Sequence, residues 1–310
     1  MTKEIRSLLI VGAGAVGASV AGIVGKSDSS AVSILAGGER FRRYAEEGFI
    51  LNGARRDYAL VSPADHSEPD LVIVAVKCHQ LPRAIEDMRN HVGPSTLVLS
   101  LLNGISSEDM LGAAFGRNKV PFAMILGIDA VREGNSTRYS GTGKIHFGDA
   151  ANVTGSWSGR VSRIARFFER MGVAYVVPED MIRSLWYKFM INVGINQASA
   201  VLRASYGVFQ TMPEAKEVME SAMRETVALS KLRGTGLRDT DVAAWYDTLR
   251  NLAADGKTSM LQDVEAGRKT EVEAFAGTVI ELGAASGLAV PVNRTLFNLI
   301  RAIERGYGCA

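Results

Sequence analysis

The stretch Ser7-Leu8-Leu9-Ile10-Val11-Gly12-Ala13-Gly14-Ala15-Val16-Gly17 runs from a short apolar segment straight into a Gly-x-Gly-x-x-Gly turn. A strand before such a turn and a helix after it give its three glycines separate tasks. The first permits the tight turn, the second lets the backbone approach a pyrophosphate, and the third brings the helix close to the strand. Free N–H groups at the start of the helix then face the negative charge. An ordinary tight turn can also use glycine, but the strand–turn–helix context favours a dinucleotide held by Gly12, Ala13, Gly14, Ala15, Val16 and Gly17. The same region superficially resembles a signal peptide or membrane helix, since Ser7–Gly25 is uncharged and follows Lys3 and Arg6. Five glycines within it, and Glu4 inside the would-be positive region, argue for a soluble chain instead.

Outward from this turn the first half alternates strand and helix signals. Apolar runs at Ser7–Val11, Ala31–Leu35, Leu71–Val76, Thr96–Leu102 and Val120–Leu126 predict strands, the third apolar throughout as for a strand buried on both faces. Helices are predicted at Ala15–Gly25, Glu39–Glu47, Leu81–His91 and Ser106–Phe115. Two hairpin signals interrupt: Asn52-Gly53 between Phe49–Leu51 and Tyr58–Val61, and Gly141–Gly143. Such alternation predicts a doubly wound parallel sheet of Rossmann type. After about Val177 only helical patterns remain, at Glu179–Arg203, Pro213–Arg233, Asp239–Ala254, Ser259–Ala285 and Pro291–Arg305. The expected architecture is α/β: a dinucleotide-binding domain over residues 1–177 and an all-α domain over 178–310.

Composition bounds the function. At about 100–200 residues per domain, 310 residues suit two domains. The net charge of +2 gives no reason to expect a nucleic-acid footprint or a polybasic membrane surface. Two cysteines, Cys78 and Cys309, make no disulfide framework and fill no four-cysteine zinc site. The histidines at 66, 79, 91 and 146 contain no His-x-x-x-His pair, and no metal is expected. A reducing, cytoplasmic setting is the plain expectation.

Cofactor choice is read at the end of the second strand, where an acid favours a ribose diol and an arginine favours a 2′-phosphate. The sequence there is Ala36-Gly37-Gly38-Glu39-Arg40-Phe41-Arg42-Arg43. Glu39 is a candidate for NAD, and Arg40, Arg42 and Arg43 are candidates for NADP. Solvated positions on a short helix would account for most of them. A second constellation lies in Trp186–Asn196, where Lys188, Asn192 and Asn196 fall at i, i+4 and i+8. Each step of four advances only ~40° around an α-helix, so the three form one polar stripe among Phe189, Ile191, Val193 and Ile195. The stripe either faces solvent or, if buried, must be paired. A third cluster runs from Ser259 through Asp263 to Gly267-Arg268-Lys269-Thr270-Glu271, and also reads as two helix starts capped by Ser259 and Thr270.

Together these segments resemble the ketopantoate reductase (2-dehydropantoate 2-reductase) family over nearly the whole chain. The resemblance rests on the glycine turn, Lys77-x-x-Gln80, Asn103-Gly104, Lys188-x-x-x-Asn192-x-x-x-Asn196, and Ser259-Met-x-x-Asp263 followed by Gly267-Arg268-x-Thr270-Glu271. It implies a Rossmann domain, a helical domain and a cleft for NADPH and a 2-keto acid, reduced to the 2-hydroxy acid as in pantothenate and coenzyme A biosynthesis. It implies that Lys188 is the general acid and that Glu271 contacts the substrate's hydroxyl end and supports Lys188. Asn192, Asn196 and Ser259 would hold the substrate. Lys77 and Asn103 would lie where cofactor and substrate meet, with Gln80 and Glu271 also on the cofactor side. The chemistry agrees, because hydride delivered to a ketone leaves an alkoxide that wants a cation and a proton donor. The family commonly carries an arginine where this chain has Gly37, so Arg40 would have to take the 2′-phosphate, and NADH remains an option beside NADPH.

Two other readings compete. An opine or 3-hydroxyacid dehydrogenase pairs the same domain types, but an opine-type catalyst depends on histidine and aspartate rather than on a lysine–asparagine stripe. A non-catalytic dinucleotide sensor predicts a degenerate second constellation, whereas Lys188, Asn192, Asn196, Ser259 and Glu271 are all present. The expected partner is a small 2-keto acid, with no nucleic acid or membrane, and the oligomeric state is open, a homodimer included.

Overall fold

A computed structural model describes residues 3–307, so Cys309 lies outside the described residues. The chain divides into two compact units, Met1–Met181 and Ile182–Ala310. The first contains, in order, β1 (Leu8–Val11), α1 (Ala15–Ser27), β2 (Val32–Leu35), α2 (Glu39–Glu47), β3 (Phe49–Leu51), β4 (Ala54–Arg56), β5 (Ala59–Val61), β6 (Leu71–Val74), α3 (Leu81–Asp87), β7 (Leu97–Ser100), α4 (Ser107–Phe115), β8 (Phe122–Glu133), β9 (Ser136–Gly148), α5 (Gly159–Met171) and β10 (Tyr175–Val176).

The parallel sheet has the order β5-β2-β1-β6-β7, which in chain order of its own strands is 3-2-1-4-5, the dinucleotide-binding arrangement. β1, β6 and β7 are buried at every residue, as parallel strands covered on both faces require. Leu8 and Ile10 join one core with α1 and α5, while Leu9 and Val11 join the other with Leu81, Ile85 and Leu111.

Three expectations fail in this unit, all over strand partners. Val120–Leu126 is not a parallel strand. It belongs to β8, which pairs antiparallel with β9 in a second sheet, because the tight connection at Gly134-Asn135 can join only antiparallel neighbours. The hairpin turn is there rather than at Gly141–Gly143, which lie within β9. Asn52 and Gly53, both at positive φ, do turn a two-residue hairpin, but onto β4 rather than onto Tyr58–Val61. β5 instead completes the parallel sheet beside β2.

The second sheet, β10-β9-β3-β4 with β8 on β9, accounts for the uncharged Ser7–Gly25 stretch. It packs against α1 on the side away from the parallel sheet, so α1 is apolar nearly all round. A Cβ on Gly22 would stand 2.7 Å from the Tyr139 hydroxyl, and one on Gly25 would stand 2.9 Å from the Tyr58 ring. Gly22 thus serves helix–sheet packing and Gly25 the close approach of Tyr58, and neither belongs to the glycine turn. Among the described residues no helix is long and apolar enough to cross a membrane.

The second unit is helical: α6 (Met181–Ile191), a π turn at Asn192–Asn196, α7 (Gln197–Leu202), α8 (Tyr206–Thr211), α9 (Pro213–Arg233), α10 (Thr240–Leu249), α11 (Ser259–Glu265), a second π turn at Glu273–Gly277, α12 (Thr278–Ser286) and α13 (Pro291–Arg305). The expected helix over Ser259–Ala285 is broken after α11. Gly267 takes φ +61°, and the Arg268 guanidinium and backbone N–H both return to Asp263, at 3.0 and 2.8 Å. The expected helix over Glu179–Arg203 is continuous in path but changes winding at Asn192. A Cβ on Gly194 there would stand 2.5 Å from Met223 Cγ and 3.0 Å from the Met219 carbonyl, so glycine lets α9 approach this turn.

Candidate active site

The glycine turn sits at the carboxyl end of β1, beside β6, where the strand order reverses and open α/β sheets bind ligands. Its three glycines meet different surroundings. Gly12 takes φ +96°, and a Cβ there would meet the Ala75 carbonyl at 2.8 Å; one on Gly17 would meet the Gly12 carbonyl at 2.1 Å. A Cβ on Gly14 would meet nothing nearer than 3.9 Å. The fold therefore needs the first and third glycines for its own packing, while the second faces open space. Gly14 is the N-cap of α1 and no side chain caps that end, which leaves the first N–H groups for an anion.

The neighbouring strand ends carry the next residues. Lys77 follows β6, where Gln80 Oε1 accepts the Lys77 N–H at 3.2 Å and closes a short turn. Asn103 follows β7. The two loops are joined by the Cys78 thiol, which donates to the Asn103 carbonyl at 3.1 Å. Behind Asn103 lies a buried polar chain: Ser100 and Ser107 hydroxyls 2.7 Å apart, and Glu108 accepting from Ser107 at 2.9 Å and from the Ala123 N–H at 3.2 Å. Burial pushes the Glu108 carboxyl above its ordinary range. Sequence reasoning passed over Cys78 and Glu108, since a single thiol and a helix-entry acid carry no pattern.

At the end of β2, a Cβ on Gly37 would press on the Pro63 ring at 3.3 Å. The arginines lie further on in α2. Arg40 is exposed in its first turn, and among the described residues no carboxylate pairs with it. Arg43 lies over the Tyr44 ring, 5.5 Å from its centroid.

In the helical unit, Lys188 lies on α6, and Asn192 and Asn196 open and close the first π turn. In an α-helix four residues overshoot one turn by about 40°. In a π turn, with bonds from i to i+5, they fall short of one. The drift from Lys188 to Asn192 is thus reversed from Asn192 to Asn196, and the stripe stays aligned by a route the spacing did not show. Lys188 and Asn192 are half-buried and Asn196 is buried. The Asn196 amide reaches Asn192 Oδ1 at 3.5 Å, while Asn192 Nδ2 is buried with no partner among the described residues. A buried amide donor without an acceptor is costly, and marks a place where an acceptor belongs.

The surroundings hold this turn. Gln197, wholly buried, donates through Nε2 to the Val193 carbonyl at 2.6 Å and to Asn293 Oδ1 at 3.0 Å. Ser199 meets Thr258 hydroxyl to hydroxyl at 2.5 Å, tying α7 to α11. Thr258, not Ser259, caps α11, accepting the Leu261 N–H; Ser259 is exposed at the first helical position, so its hydroxyl has no capping task. The first π turn packs on α11 and on the second π turn. Glu271, half-buried, stands two residues before that second turn, its carbonyl accepting from Ala274 and Phe275 at 2.9 and 3.2 Å. The packing thus gathers the segments bearing Lys188, Asn192, Asn196, Ser259 and Glu271 within one unit.

The family model for ketopantoate reductase PanE/ApbA matches residues 8–152, and the model for its C-terminal part matches residues 180–304. The 2-dehydropantoate 2-reductase of Halobacterium salinarum is 27% identical over 304 residues, covering 96% of this chain and 99% of that protein. That of Pyrobaculum aerophilum is 30% identical over 234 residues, 75% of this chain and 76% of the relative. Among solved structures, a ketopantoate reductase family protein from Ralstonia eutropha superposes with a TM-score of 0.83 at 25% identity, covering 97% of this chain and 99% of that chain.

Proposed function

Because the chain belongs to the ketopantoate reductase family, we propose that it reduces 2-dehydropantoate, or a similar branched 2-keto acid, to the 2-hydroxy acid with NADPH. The observation that carries this reading is the aligned stripe of Lys188, Asn192 and Asn196 with its unpartnered buried amide donor at Asn192. A substrate carboxylate or hydroxyl is the acceptor that such a donor lacks.

The glycine turn fits the dinucleotide, since a Cβ at Gly14 would occupy space the fold leaves open while Gly12 and Gly17 are spent on packing. Gly12, Ala13, Gly14, Ala15, Val16 and Gly17 would hold the pyrophosphate, with Lys77, Gln80 and Asn103 at the neighbouring strand ends and Arg40 on the 2′-phosphate. NADPH, when bound, supplies the hydride for the carbonyl carbon. Asn192, Asn196 and Ser259 fix the acid by hydrogen bonds. The Lys188 ammonium holds its proton toward the carbonyl oxygen, where negative charge develops, and releases it as the alkoxide forms. Glu271 stabilises the charged lysine and contacts the product hydroxyl.

The test is a double-mutant cycle. Lys188→Ala should lower kcat by ~100–10,000-fold, the range for a positioned acid, with little change in cofactor affinity. Glu271→Ala should be less than additive with it, because both act on one developing charge. A Lys188→Ala enzyme with near-normal kcat would end this mechanism.

A further inference from the structure

We propose that Glu304, on the last turns of α13, is a positioning residue for Glu271, acting through Thr270; this inference rests on the role given to Glu271 above. Thr270 is completely buried. Glu304 Oε1 accepts both its backbone N–H, at 2.8 Å, and its hydroxyl, at 2.7 Å. With that proton committed, a lone pair of the Thr270 oxygen is left for the Val272 N–H at 3.3 Å. Glu271 is the residue between. Its backbone is therefore pinned on one side by Thr270 and on the other by Val272, and both pins run to one carboxylate.

That carboxylate is itself held. Its side chain is only 8% exposed, and Oε2 accepts from Arg301 Nη1 at 2.8 Å. Arg301 also reaches Glu273 Oε1 at 2.8 Å. An anion so placed accepts three hydrogen bonds, two of them from the residue preceding Glu271. Charge-assisted bonds of this kind are shorter and stronger than neutral ones. α13 thus sets the direction in which the Glu271 segment leaves the turn at Gly267. A carboxylate required at a reacting oxygen tolerates little displacement, since about 1 Å of misplacement can cost on the order of 100-fold in rate.

The experiment compares Glu304→Ala, Glu304→Gln and Thr270→Val with Glu271→Ala, measuring kcat at saturating 2-dehydropantoate and NADPH, NADPH affinity and Tm. Glu304→Ala should lose about 10–100-fold in kcat with NADPH affinity unchanged. Glu304→Gln, which keeps the accepting Oε1, should recover most of that loss. Thr270→Val, which removes the hydroxyl but keeps shape and N–H, should lower kcat in the same direction, and it decides the matter if Glu304→Ala does not fold. Wild-type kcat in folded Glu304→Ala or Thr270→Val, alongside an impaired Glu271→Ala, would overturn the positioning role while sparing Glu271. Wild-type kcat in Glu271→Ala would instead overturn the role of Glu271, and this inference with it.

Discussion

Gly14 and Gly17 lie three residues apart on the same turn, yet replacing them should injure different properties. A Cβ at Gly14 finds the Ala75 carbonyl at 3.9 Å as its only neighbour, an ordinary contact. Gly14→Ala then costs only the weaker N-cap preference of alanine, about 1 kcal/mol or less, a Tm change of about 2–4 °C for a unit of this size. A Cβ at Gly17 would stand 2.1 Å from the Gly12 carbonyl oxygen and 3.1 Å from Ile10 Cγ2. No rotamer relieves a backbone clash, so the turn must move. Overpacking of this kind costs about 1–3 kcal/mol, and alanine's better helix propensity returns at most about 1 kcal/mol. Gly17→Ala should therefore melt several degrees lower. The affinities should reverse that order of selectivity. Gly14→Val, whose branch enters the space left for a pyrophosphate, should weaken NADPH by tenfold or more, about 1.4 kcal/mol, with no more than the small Tm loss of Gly14→Ala, since valine is an equally poor N-cap. Thermal melts and fluorescence titration with NADPH read the two effects separately. Wild-type NADPH affinity in Gly14→Val would remove the phosphate reading of the turn, and equal melting of the Gly14→Ala and Gly17→Ala proteins would refute the division of tasks.

Arg40→Ala should lower the ratio of NADPH to NADH affinity and reduce its salt sensitivity, because it is an exposed guanidinium with no carboxylate partner among the described residues and the first cation after Gly37 in sequence. A wild-type preference for NADH would move the assignment to Glu39. Glu108→Gln should change the pH dependence of stability. Burial raises the folded-state pKa of Glu108 above its ordinary value of 4.5, so its contribution is complete below that value and is lost as pH rises through the folded value. The glutamine variant has no such loss, so its Tm should gain on that of wild type as pH rises from 4 to 8. The same Tm difference at both pH values would contradict this account.

Much of the molecule was legible from local pattern. The run Leu8–Val11 before Gly12 identified strand, turn and helix at once, and Pro213–Arg233 and Pro291–Arg305 form α9 and α13 at those residues. The stripe of Lys188, Asn192 and Asn196 was legible as a spacing, although its winding was not. Strand partners were the weak point. Tyr58–Val61 has the same apolar pattern whether it closes a hairpin or adds to a parallel sheet, and only the neighbouring β2 chooses.

The sequence by itself determined what depends on a few adjacent residues: the positive-φ turn at Gly12, the Asn52-Gly53 hairpin, the helical character after Val177, and the spacing of Lys188, Asn192 and Asn196. Only the tertiary structure decided what depends on distant chain. It set Gly22 against a second sheet and Gly25 against Tyr58, drew β8 out of the parallel sheet, and widened the helix at Asn192–Asn196 where Gly194 meets α9. It also brought Glu304 onto Thr270, 34 residues away in sequence. A π turn has no strong local code, because its winding is imposed by the side chains packed against it. For the same reason a carboxylate on the last helix can meet Thr270 without leaving a motif in the sequence.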